Sequence, residues 1–210
     1  MPAPPPRRRG LLAGALYAWA STARADDTGP APLALGEVLR GRFVQERRLS
    51  GFSGVLRTEG RFVLAPGQGL IWQAETPFAV RTVITPAGLT QRIGEDETLR
   101  LSAGQIPFLA RLADMLTGTL VGDWRALEQD FTLARSGGNA AWQMVLTPRH
   151  APDPATMPFE RIVVTGGHLV DTVVMSRPGG DSDTVRFHDQ TLSRVRLGED
   201  ERHLLDSNGR

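Results

Sequence analysis

One long helix-like stretch, Gln105–Trp124 (QIPFLARLADMLTGTLVGDW), stands in a sequence that otherwise reads as strand and turn. That imbalance limits what the chain can fold into more than any motif does. Pro107 fits a first helical turn, where its missing N–H is not needed. Between Ile106 and Leu116 only Arg111 and Asp114 are charged, and they share one narrow stripe. Phe108, Leu109, Leu112, Met115 and Leu116 cover most of the remaining circumference. A helix apolar on more than one side is sunk into the protein rather than laid on it.

The strand signals are numerous. Gly41–Arg47 alternates around Phe43, and Gly54–Leu64 has a turn-like centre at Glu59-Gly60. Leu70 and Trp72 lie two apart in GLIWQA, Val80–Thr85 is β-branched, and residues 89–101 carry an acidic tip at Glu95-Asp96-Glu97. After the helix, Phe131–Arg135, Ala141–Thr147, Glu160–Thr165, His168–Met175, Thr184–His188 and Leu192–Leu197 all read as strands. Gly137-Gly138-Asn139, Gly166-Gly167 and Gly179-Gly180-Asp181 supply tight turns, and residues 148–159 form a proline-rich loop. Leu33–Leu39 is short enough for a helical turn or two. Consecutive strands joined by short turns imply an antiparallel meander in one domain, residues 35–198.

Nine or ten strands about 4.8 Å apart make a sheet roughly 45 Å wide. A helix of about a dozen residues is only about 18 Å long and about 10 Å thick. It cannot cover such a sheet. The expected fold is therefore mostly β, an unclosed antiparallel β-barrel (a strongly curved sheet) with a helical lid over an apolar cavity. Phe43, Phe62, Leu64, Leu70 and Trp72 from the first strands, and Trp142 and Met144 from a later one, are the candidate cavity wall. Phe108, Leu109, Leu112, Met115 and Leu116 are the candidate lid. In GDWRALEQDF, Asp123 reads as a helix cap, with Trp124, Leu127 and Phe131 packing inward and Trp124 lining the hollow as well. An apolar hollow of this kind suits an acyl chain.

The order and spacing of several segments also resemble a known family. Phe43-Val44-Gln45, Gly60-Arg61-Phe62, Leu70-Ile71-Trp72 with Pro77, VITPAGL, and later LVGDWRALEQDF and WQMVLTP are similar to a divergent branch of the outer-membrane lipoprotein carrier family (LolA-like). The likeness runs from about Leu35 to His188. It implies an unclosed barrel with a helical lid, and a periplasmic shuttle shielding the acyl chains of a lipoprotein or lipid. An inner-membrane donor, an outer-membrane acceptor and transient membrane contact are the implied partners. Two features depart from the family pattern. Ala65 stands before Pro66 where the family places a lid-controlling arginine, leaving Arg61, Arg81 and Arg111 as candidate substitutes. The aromatic segment that normally follows is PAGLTQRIGED here.

Residues 1–25 read as a cleavable signal peptide. Arg7, Arg8 and Arg9 precede the apolar Gly10–Ala20, and Ala23-Arg24-Ala25 presents small residues for cleavage before Asp26. Residues 26–34 read as a flexible leader and 199–210 as a disordered tail. Without residues 1–25 the chain carries 20 arginines, no lysine and 23 acids, a net charge of −3. That balance gives no footprint for nucleic acid. No cysteine is present, so disulfides and thiol chemistry are excluded. His150, His168, His188 and His203 lack metal-ligand spacing, and no nucleophile elbow or phosphate loop occurs. The expectation is a non-enzymatic carrier with no cofactor and no metal. The competing readings are a non-transporting lipid- or protein-binding sensor or assembly module, and a small periplasmic hydrolase.

Overall fold

The structure, a computed structural model, describes residues 33–102, 127–128, 130–138, 140–151 and 158–207. The expected signal peptide and helix 105–124 fall outside them. Eleven strands form one antiparallel sheet: β1 (Val38–Arg48), β2 (Val55–Ala65), β3 (Gly69–Thr76), β4 (Val80–Thr85), β5 (Gly88–Ile93), β6 (Asp96–Ser102), β7 (Phe131–Gly138), β8 (Ala141–Pro148), β9 (Arg161–Gly166), β10 (Val170–Ser176) and β11 (Ser182–Ser193). Their spatial order is β6-β5-β4-β3-β2-β1-β11-β10-β9-β8-β7. The chain thus lays down one half outward from β1, then the other half inward to β11, which pairs with β1. β6 and β7 are the two edges, so the sheet is not closed.

Irregularities in pairing bend the sheet. The register shifts between Arg40 and Arg42, Glu59 and Gly60, Gln91 and Arg92, and Val170 and Thr172. Each extra residue increases local twist and turns the strand. Alternation then gives every strand an inner and an outer face. Leu39 and Phe43 of β1, Phe62 and Leu64 of β2, and Leu70 and Trp72 of β3 share the inner face through direct cross-strand pairing. They belong to one apolar cluster. Trp142, Met144 and Leu146 of β8 join Phe131, Ile162 and Val164 in a second. Met175 and Phe187 pack against both, so the inner face is continuous.

The outer face is covered over β1–β4 by a helix, α1 (Glu199–Ser207). Residues 199–207 are thus helical, where a disordered tail is expected from the sequence. Leu205 and Leu197 are buried with Val38, Ala65, Ile71 and Val83. The Glu201 carboxylate accepts the Gly198 N–H at 2.8 Å, which closes the helix start as a capping box does. It also accepts the Arg40 Nε at 3.0 Å and Nη2 at 2.6 Å. Glu199, Asp200 and Glu201 favour the positive end of the helix dipole. A helix this short is marginal alone, so its tertiary anchor carries it. Leu205→Asp is expected to undock α1 and destabilise the fold by about 2–3 kcal/mol, read from the urea midpoint and the loss of helical circular dichroism.

Three smaller expectations also change. Residues 34–37 form a turn rather than a helix, with the Glu37 N–H donating to the Ala34 carbonyl at 3.1 Å and Gly36 at φ 86°. Leu33, placed in the flexible leader, is buried against the inner cluster. The expected strands at 184–188 and 192–197 are one strand, β11, ending at Ser193; it passes through Asp189 at φ 50°.

Candidate functional site

The inner face carries the candidate site. Phe43 and Trp72 stand two strands apart, yet their rings stack with centroids 3.7 Å apart. Glycine makes this possible. Phe43 pairs across to Gly60, and Phe62 to Gly41, so within the β1–β2 ladder neither large ring faces another side chain. Phe62 and Trp72 each meet Phe187 edge-on, at 5.2 and 6.1 Å. Such pairs add about 0.5–1.5 kcal/mol each beyond burial. Phe43 and Leu64 are wholly buried in this cluster, and Phe62 and Leu70 nearly so.

A half-open cavity of about 330 Å³ opens beside Trp72, within the range of small-ligand sites. Its apolar lining is Leu56, Trp72, Ala74 and Val80. Its polar lining, the rim, is Gln45, Arg47, Thr58, Thr82 and Gln91. The Gln91 amide donates to the Thr82 hydroxyl at 3.3 Å. Along each strand these rim residues continue the inner-face alternation. Gln45 and Arg47 follow Phe43 by two and four positions, and Ala74 follows Trp72 by two. The hollow is amphipathic, lined by both apolar and hydrogen-bonding side chains.

A buried carboxylate organises the rim. Asp183 of β11 sits opposite Arg47, and its side chain is 1 % exposed. Its Oδ1 accepts the Arg47 Nε at 2.7 Å and the Gln45 Nε2 at 3.1 Å. Arg177 Nη1 lies 2.5 Å from Oδ2, and the same guanidinium stands 5.0 Å over the Phe159 ring. Burial raises the Asp183 pKa, but the bonds from Arg47 and Gln45 and the charges of Arg47 and Arg177 outweigh it and hold it below the ordinary value. At the same end of the sheet, the β1–β2 and β3–β4 connections expose Phe52 and Phe78, the latter 74 % accessible.

The sequence-derived site residues divide three ways. Trp72 lines the cavity. Phe43, Phe62, Leu64 and Leu70 lie with it in one inner cluster, whereas Trp142 and Met144 belong to the other. Phe108, Leu109, Leu112, Met115, Leu116 and Trp124 lie outside the described residues. Leu127 and Phe131 are buried, as the reading of GDWRALEQDF expects. Of the candidate replacements for the lid-controlling arginine, Arg61 and Arg81 sit on the outer face, and Arg111 is outside the described residues. The rim residues Gln45, Arg47, Thr58, Thr82 and Gln91 escaped a search for apolar positions. Extending the period-two pattern past Phe43 and Trp72 finds Gln45, Arg47 and Ala74.

The acids of GGDSD have structural roles. Asp181 accepts the Ser50 N–H at 2.7 Å, and Asp183 is the buried ion-pair centre. His188 Nδ1 and Asp189 Oδ2, 2.9 Å apart, form an exposed pair. Among the described residues no three His, Cys, Asp or Glu side chains cluster as metal ligands, and no helix is long and apolar enough to cross a membrane.

Residues 8–179 match the family model described as outer membrane lipoprotein carrier protein LolA-like. Among solved structures, a LolA superfamily protein from Nitrosomonas europaea is 10 % identical, with 80 % of this chain and 90 % of that one covered and a TM-score of 0.43. A Vibrio parahaemolyticus domain described as a candidate outer membrane lipoprotein-sorting protein domain is 11 % identical, over 85 % and 94 %, at 0.46. The Pseudomonas aeruginosa MucA/MucB complex matches at 15 % identity and 0.43; 79 % of this chain covers 55 % of that one. No curated protein matches the sequence.

Proposed function

Because this chain belongs to the outer membrane lipoprotein carrier protein LolA-like family, we propose that it is a periplasmic carrier. It shields the acyl chains of a lipoprotein or lipid and moves it from the inner towards the outer membrane. The observation that supports this best is the amphipathic hollow beside Trp72. Hydrocarbon leaves water onto Trp72, Ala74 and Val80, gaining roughly 25 cal/mol for each Å² of apolar surface buried. The ester or amide groups that join acyl chains to their head need hydrogen bonds, which Gln45, Thr58, Thr82 and Gln91 are placed to offer. Phe52 and Phe78, exposed at the same end, suit transient contact with a bilayer, where aromatic rings favour the interface.

The role needs no cofactor, no metal and no catalytic residue. It needs a donor protein at the inner membrane and an acceptor at the outer. Residues 1–25 act as the export signal in this reading, with cleavage near Ala25.

Thr82 tests the hollow directly. It faces Trp72 across β3 and β4 and lines the cavity. Thr82→Trp is expected to fill the space, leave the circular dichroism spectrum unchanged and lower transfer of a fluorescent acylated lipid from donor to acceptor vesicles about tenfold. Transfer at the wild-type rate would place acyl chains elsewhere. Wild-type protein that binds the lipid without transferring it would favour a sensor or assembly role.

A further inference from the structure

The outer face holds a second cavity, of about 260 Å³, between α1 and strands β4–β6. It is far larger than the roughly 30 Å³ share of one water. Three guanidiniums line it: Arg81, Arg92 and Arg100. Arg81 and Arg92 are direct cross-strand partners, an arrangement in which like charges repel. The one acid in the lining is Glu97. Both its oxygens accept from Arg100, at 2.8 Å each, and it also stands opposite Arg92. Three positive groups therefore share one negative one.

Arg81 is the decisive residue. Its Nε is buried without a hydrogen-bond partner, and among the described residues no carboxylate lies within ion-pair distance of it. Leaving a charged donor buried and unpaired is costly. Thr90, a buried hydroxyl, lines the same cavity. The end of α1 supplies His203, Leu204 and Ser207 to the wall, and the Ser207 hydroxyl is spent on the Leu204 carbonyl at 3.1 Å. The partial negative charge of a helix end falls short of the local positive excess. An oxyanion able to accept several N–H bonds at once would balance that excess, the role in which guanidinium forks match phosphate.

We propose that this outer-face cavity binds a phosphate group, held by Arg81 and Arg92 with the Thr90 hydroxyl. The site is separate from the inner hollow and does not depend on the carrier reading. The phosphate belongs either to a soluble ion or ester or to a phospholipid head, and two probes distinguish them. Inorganic phosphate is titrated calorimetrically into the full chain against chloride at equal ionic strength. Vesicles of phosphatidylglycerol, with phosphatidylcholine as control, are tested by co-flotation. Saturable phosphate binding is expected, weakened at least about tenfold in Arg81→Gln and in Arg92→Gln. Arg92 is exposed, so its variant reports even where Arg81→Gln folds poorly. Co-flotation that both substitutions and free phosphate abolish identifies a lipid head. Phosphate binding without co-flotation identifies a soluble source. No saturable response to either probe, or equal responses in wild type and variants, would overturn the site.

Discussion

Replacing Gly60 by alanine is expected to destabilise the protein by about 3 kcal/mol or more, near the upper end for overpacking. A Cβ at Gly60 would lie 2.0 Å from the Gln73 carbonyl oxygen and 2.9 Å from the Ala74 Cα. Both are backbone atoms of β3, so relief requires the β2–β3 ladder itself to part. The ladder is already irregular there, shifting register between Glu59 and Gly60, and it carries the Phe43–Trp72 stack and the cavity lining at Ala74. Gly41→Ala is the comparison. Its Cβ would meet the Phe62 ring at 2.8 Å, a side chain that can move, so the loss is expected to be about 1 kcal/mol. Urea midpoints at unchanged slope give both values. Equal losses would mean that the ladder yields at Gly60 as readily as a side chain does.

Asp183→Asn is expected to cost about 2–3 kcal/mol at neutral pH. Removing one partner of a buried ion pair commonly costs about 3–5 kcal/mol. Arg47 is 44 % exposed and Arg177 25 %, so both can regain water and the loss falls below that range. The pH dependence follows from the depressed pKa of Asp183. Its contribution is complete above the unfolded-state value of 3.8 and is lost as pH falls through the lower folded-state value. The stability gap between wild type and Asp183→Asn should therefore stay constant between about pH 5 and pH 7 and close below about pH 4. A gap that persists undiminished to about pH 2 would show that Asp183 packs rather than pairs.

The strands were legible in the sequence because the packed part of the inner face meets apolar neighbours and so demands strict alternation. Phe43, Phe62, Leu64, Leu70, Trp72, Met144 and Leu146 all obey it. The edges of that legibility have physical reasons. Glu59-Gly60 carries a turn signature, yet Gly60 is present because two strands approach too closely for any side chain. The polar run His188-Asp189-Gln190 looks like a break, but β11 passes through it by an irregular pairing opposite Arg40 and Arg42. α1 was hidden because half of GEDERHLLDS is charged. Its stability comes from Leu205 and from Arg40, which lies 161 residues before its partner Glu201.

Of the cavity lining, only Trp72 is among the candidate residues that the sequence supplies. The mismatch between sheet and helix areas implied a hollow, whereas its rim is set by partners remote in sequence. Asp183 and Arg47 are 136 residues apart, and no local pattern joins them. A search for apolar residues finds the packed cluster, Phe43 and Leu64, before it finds the open space beside Trp72. The outer-face cavity escaped for a similar reason. Arg81, Arg92 and Arg100 look like solvated strand charges until the register puts them on one face.

The proposed carrier role rests on the inner face of this unclosed sheet receiving hydrocarbon chains. Organic extraction of the protein purified from periplasm, followed by mass spectrometry, tests it most directly. A sub-stoichiometric acylated species is expected, depleted in Thr82→Trp and displaced by added fatty-acyl lipid. Extracts free of acylated molecules, from protein that also fails to take up such lipid in vitro, would contradict it.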